Sequence, residues 1–116
     1  MSAGKYNIQI EQGADWNLTL VWRDDAGNAI DPSEFTARMA IVENVGDRRP
    51  LHLLTTENGG ITMNAEDTAI ELYMPAAATE GWRVFKGRYD LELVDSEGRV
   101  TRLLQGRVNI SPNATR

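Results

Sequence analysis

Cysteine is absent from the 116 residues, which excludes a disulfide framework and any thiolate metal site. Histidine occurs once, at His52, with no second ligand or catalytic partner spaced around it. Long apolar runs are missing as well. Met1 to Tyr6 carries no apolar stretch after its lysine, so neither an export signal nor a membrane span is expected. Positive charge is in short supply: 12 Lys and Arg stand against 17 Asp and Glu, for a net charge of −5 and a pI near 4.8. That balance disfavours a surface for nucleic-acid phosphates, and Arg48-Arg49, beside Asp47, is too small a cluster to reverse it. Gly59-Gly60 and the glycines at Gly81 and Gly87 open no long helix after a strand, so no phosphate-binding loop is indicated. What remains is an ordinary globular composition, 41% hydrophobic and 25% charged. The length suits one domain over 1–116 with its own core and loose ends at 1–4 and 112–116.

Alternation of apolar and polar residues is the dominant pattern. Arg88 to Ile110 reads as a β-hairpin: Tyr89, Leu91 and Leu93 form one buried face and, past an Asp95-Ser96-Glu97-Gly98 turn, Val100, Leu104, Val108 and Ile110 continue it. Gly98 supplies the positive φ of the turn, and Asp95 and Ser96 bond its amides. Earlier in the chain, Tyr6, Ile8 and Ile10 share one side of a strand from Lys5 to Gln12. Trp16, Leu18, Leu20 and Trp22 do the same from Asp15 to Arg23. Asp24 to Asn28 is a turn, and Asp31-Pro32 lets the chain cross over. In the run from Phe35 to Glu43 the inner set is Phe35, Ala37, Met39 and Ile41, because the other parity buries an arginine. Short strands follow at 51–54, 61–63 and 69–74, and residues 44–50 form a polar loop. Pro75 to Trp82 is the one helical stretch, of about two turns, with proline at its first position and Gly81 at its end. Trp82 and Phe85 are expected to plug one end of the core. Seven or eight strands at this spacing predict an all-β antiparallel sandwich, immunoglobulin-like in general architecture, with one short helix near 75–82.

No catalytic arrangement lies on these elements. His52 is read as an edge or solvent-facing strand residue, since polar strand positions face water. Asp24 and Asp25 are turn residues and fall short of a calcium loop. Asp90 and Glu92 lie on the exposed face of the hairpin with Arg102 or Arg107 as cross-strand partners, and no two carboxylates are set across a sugar-binding cleft. The tryptophans belong to the core or its rim. An enzyme, a metal site and a cofactor are therefore not expected, and sheet edges and loops suited to protein docking are.

Several segments, read as a set, resemble a known group. They are Ile10-Glu11-Gln12-Gly13-Ala14-Asp15; Leu20-Val21-Trp22-Arg23-Asp24 with Gly27; Tyr89-Asp90-Leu91-Glu92-Leu93; Gly98-Arg99-Val100; Leu103-Leu104-Gln105-Gly106; and Val108-Asn109-Ile110-Ser111-Pro112. In this order they resemble small β-sandwich virion proteins of tailed bacteriophages and prophages, in particular the N-terminal domain of baseplate upper proteins and short proteins associated with tail fibres. The resemblance implies a non-enzymatic virion component that packs against copies of itself or other virion proteins at the tail, baseplate or fibre attachment, and that is assembled in the bacterial host cytoplasm. The chain stops at Arg116 without the helical or fibre region of longer members, which leaves a standalone adaptor and a capsid decoration protein both open. A carbohydrate- or host-surface-binding module is the alternative of another class, marked by an exposed Trp82 or Trp22 near a carboxylate. The expected interface residues are Arg48, Arg49, Trp82, Phe85, Ser111 and Pro112.

Overall fold

The computed structural model describes residues 4–114, and the loose ends expected at 1–3 and 115–116 lie outside the described residues. Period-two alternation yields strands β1 (Gly4–Lys5), β2 (Ile8–Glu11), β3 (Trp16–Val21), β4 (Thr36–Val42), β5 (His52–Thr55), β6 (Ile61–Asn64) and β7 (Ala69–Met74). A single helical turn α1 (Ala76–Thr79) follows, then β8 (Lys86–Val94) and β9 (Val100–Ser111). They form an immunoglobulin-like β-sandwich. Sheet A runs β1-β9-β8-β4-β5, with β2 following β1 along β9, and sheet B runs β3-β7-β6. The ladders are antiparallel except at the N-terminus, where β1 and β2 join β9 in parallel. Gly4, expected to be loose, already pairs with Leu104.

The inner faces carry the residues that parity selects. Ile8, Ile10, Ala37, Met39 and Ile41 are buried, as are Tyr89, Leu91 and Leu93, and they meet Ile70, Leu72 and Met74 from sheet B. Arg38 points outward, as the choice of inner set on β4 requires. Tyr6 and Val100 depart from the expected pattern for reasons of register. Tyr6 is 48% exposed, because the chain breaks between β1 and β2. There the Tyr6 N–H bonds the Gln105 carbonyl at 3.0 Å, and Asn7 Oδ1 takes the place of a ladder acceptor for the Arg107 N–H. Gly106 lies under this crossing, where a Cβ would collide with the Tyr6 carbonyl.

The second departure is Val100, expected inside and found 50% exposed. Near the turn Val94 faces Val100 and Glu92 faces Arg102, but Leu91 faces Leu104, so β9 holds one extra residue between them. This bulge switches parity: Val100 and Arg102 point out, whereas Leu104, Val108 and Ile110 share the inner side with Leu91, Gly87 and β2. The turn itself follows expectation at Asp95, whose Oδ1 accepts the N–H groups of Glu97 and Arg99, and at Gly98, with φ of 83°.

The helix is shorter than the two turns read over 75–82. Pro75 precedes it in an extended conformation and is not its first residue, and the Ala76 N–H is capped by Asp15 Oδ1, from the turn before β3, at 2.8 Å. Gln12 locks this end of the sandwich. Its buried Nε2 donates to the carbonyls of Thr79, Glu80 and Trp82 at 3.2, 3.1 and 2.7 Å, and its Oε1 accepts the Asn113 N–H at 3.0 Å. That last bond ties down Asn113 in a tail expected to be loose. Gly13, with φ of 78°, donates its N–H to the buried Thr79 hydroxyl. The segment Gln12-Gly13-Ala14-Asp15 is thus a fastening between β2, α1 and the end of β9.

Candidate interaction surface

The larger concave surface lies on the outer face of sheet A. Strand parity sets its rows: Thr55, Arg38, Glu92 and Arg102 form one, Leu53, Ala40, Asp90, Gln105 and Lys5 the next, and Val42, Arg88 and Arg107 a third. Opposite charges alternate across the first two. Arg38 Nε bonds Glu92 Oε1 at 2.8 Å, and Arg102 Nε stands 3.7 Å from Asp90 Oδ2. Burial, then the neighbouring Glu92, raises the Asp90 carboxyl above its ordinary value, while Arg102 and Arg38 pull it the other way. Arg102 thus serves as a carboxylate partner on this face, but Arg107 does not: the bulge sets it opposite Arg88.

Lys5, Arg88, Arg102 and Arg107 line a groove of about 620 Å³ on this face, with Asp90 the one carboxylate in its wall among the described residues. Ala40, Val42 and Val45 give it an apolar side, and Val45, on the loop after β4, is 82% exposed. Tyr89 forms part of the wall and donates its hydroxyl to the Tyr6 carbonyl at 2.5 Å. Burial, and to a lesser degree the nearby Tyr6, pushes that phenol up to about 12, so it stays a neutral donor at physiological pH. A smaller depression continues the surface past Glu43, Lys86 and Asn109.

The expected interface residues gather at the end of the sandwich where β4 finishes and β8 begins. Trp82, Phe85 and Ser111 are drawn together by two backbone bonds, the Ile110 N–H to the Phe85 carbonyl and the Gln12 N–H to the Ser111 carbonyl, and by the Gln12 side chain, which donates to the Trp82 carbonyl. Pro112 follows, exposed, and Arg48 and Arg49 stand exposed on the 43–51 loop that leaves the same end of sheet A. Trp82 is half-buried against the core, but Phe85, expected to help plug it, is 42% exposed. None of these six lines the groove. Its cations were missed as a group because two conditions are non-local: the bulge, which sets Arg107 opposite Arg88, and the parallel pairing that brings Lys5 beside Gln105. The one local signal is the run of Lys86, Arg88 and Asp90 facing away from Tyr89 and Leu91.

The other candidates for chemistry resolve into structural roles. Asp24 Oδ1 accepts the N–H groups of Ala26 and Asn28 inside its own turn. His52 does lie on an edge strand, but opposite Ile41, on the core-facing side of β5, where burial lowers its pKa; it is Leu53 that faces outward, 43% exposed. The four apolar-flanked positions 51–54 allow either phase, and Leu54, fully buried, sets it. Trp22 packs edge-on against Phe35 with ring centroids 5.0 Å apart. Among the described residues no three His, Asp or Glu side chains converge as a metal site.

The sequence matches no family model and no curated protein. Solved structures share its fold. A chicken TCR is similar with a TM-score of 0.56 at 12% identity over 97% of this chain, which spans 56% of the length of that one. CopC from Methylosinus trichosporium OB3b is similar with a TM-score of 0.50 at 13% identity, covering 99% of this chain and 90% of its own. The likeness is one of fold.

Proposed function

We propose that this chain is a non-catalytic structural or adaptor protein of a tailed-phage particle, at the tail, baseplate or tail-fibre attachment, and that it works by docking to other virion proteins. The setting comes from the resemblance of its ordered segments to phage virion sandwiches. The docking role is supported by one observation above the others: in a chain of net charge −5, the outer face of sheet A gathers four cations and an exposed valine around one groove. A charged rim around small apolar side chains is the composition of a protein-binding surface. The hydrolase reading asks for a second carboxylate across a cleft from Asp90 or Glu92. Glu92 is instead held by Arg38, and Asp90 faces cations across the groove.

The test is to purify particles of the phage or prophage that encodes the chain and to probe them with an antibody raised against it. Stoichiometric incorporation, with immunogold label at one fixed place on the tail, is the expected result. Absence from purified particles, with the protein found only in the lysate supernatant, overturns the proposal.

A further inference from the structure

We propose that the groove on the outer face of sheet A seats an acidic, extended segment of a partner protein. Carboxylates of that segment bind Arg88, Arg107 and Lys5, and the side chain between them faces away from the sheet, toward solvent or the Val45 side. Arg88 and Arg107 are directly cross-strand neighbours, an arrangement that costs stability when the charges are alike. Among the described residues neither has an ion-pair partner, while the other two arginines of this face, Arg38 and Arg102, are both paired with carboxylates. An anion placed between Arg88 and Arg107 relieves that repulsion and makes charge-assisted bonds to both.

Spacing selects an extended segment. Lys5 sits beside Gln105, two residues from Arg107 along β9, so the two cation rows are separated by roughly 7 Å, two residues of strand rise. Alternate residues of an extended peptide repeat at that same distance, so acidic residues at i and i+2 meet both rows. The intervening side chain then faces either solvent or the apolar wall on the Val45 side. Charge selects a short segment over a nucleic acid. Asp90 faces the groove from β8, Glu43 lies beyond its end, and the rest of the molecule is acidic, so a long polyanion has to cross repulsive surface.

The probe is a fluorescein-labelled peptide of alternating Glu and Val, followed by fluorescence anisotropy against the intact chain. Its Gln/Val counterpart and a labelled single-stranded oligothymidine of equal charge serve as comparisons. The Glu peptide is expected to bind at low salt, the Gln peptide not to, and the double variant Arg88→Gln with Arg107→Gln to weaken binding by about 10-fold or more. Arg23→Gln, at the opposite end of the sandwich, is the control and leaves binding unchanged. Both groove substitutions are on exposed positions, and an unchanged thermal melt verifies folding. Equal binding by wild type and double variant, or none by the Glu peptide, overturns the proposal. Tighter binding of the oligothymidine, lost in the same variant, reassigns the groove to nucleic acid. A mass that rises with concentration only when both arginines are present reassigns it to a second copy. This inference rests on the reading of the chain as a docking module. If peptide binding fails while the chain is found in particles, the groove is discarded and the module stands.

Discussion

Gln12 carries more of the fold than any other polar residue. The residue is 5% exposed, and its amide serves three carbonyls and one N–H from two segments far away in sequence. Gln12→Ala removes all four bonds from this end of the sandwich, each worth about 0.5–1.5 kcal/mol net and less where the group reaches water. The expected loss is about 2–4 kcal/mol, read as a lower urea midpoint at unchanged m-value. Sequence alone put Gln12 in phase with Ile8 and Ile10 but gave no hint of its partners, because the Thr79, Glu80 and Trp82 carbonyls come within its reach only when α1 stops after one turn. His52 gives a prediction in pH. Its folded pKa lies below the ordinary 6.5, so the folded state prefers the neutral ring. Its contribution is full above pH 6.5 and is lost as pH falls from there through the folded-state value. His52→Gln is expected to flatten the thermal midpoint of the wild type across that window, and an equal slope in both proteins contradicts it.

At the scale of elements the decisive feature is the bulge in β9. Strands with one unbroken phase were legible from their residues: β4 shows its inner set directly, since the other parity buries Arg38, and β8 shows Tyr89, Leu91 and Leu93. A period-two reading has no means to count an extra residue, so it carried Val100 inside with Leu104 and, though it left Arg107 outside, missed that Arg107 stands opposite Arg88. The parallel attachment of β1 and β2 was equally invisible, because the paired residues are about a hundred positions apart. Deleting Leu103, which stands in the bulge, tests this. A regular ladder continued from Val94 and Val100 then sets Leu104 opposite Leu91 as before, so Leu104, Val108 and Ile110 keep the inner face. A cooperative urea transition with native near-UV circular dichroism is the expected outcome. Loss of both shows that the bulged residue itself, and not only the parity it sets, is required.

For the whole molecule the question is whether it assembles alone. A stable homo-oligomer needs roughly 800 Å² of well-packed surface from each partner, with an apolar centre. The large exposed apolar side chains here are dispersed: Val45 and Leu53 lie on or beside the outer face of sheet A, Tyr73 and Val21 on sheet B, Phe85 at one end and Val100 at the other. The grooved face is laced with charge, and five net negative charges set copies against one another within a screening length of about 8 Å at physiological salt. The edge of β3 that β7 leaves open presents polar, exposed Asn17 and Thr19 beside Val21 as its outward side chains, and the two polar residues blunt pairing between copies. Light scattering over a concentration series is therefore expected to return a monomer of 12.9 kDa throughout, with assembly arising when the groove meets an acidic partner. A trimer or hexamer that persists on dilution requires an interface built from these same faces, and it replaces the adaptor that orders on its partner with a ring that forms by itself.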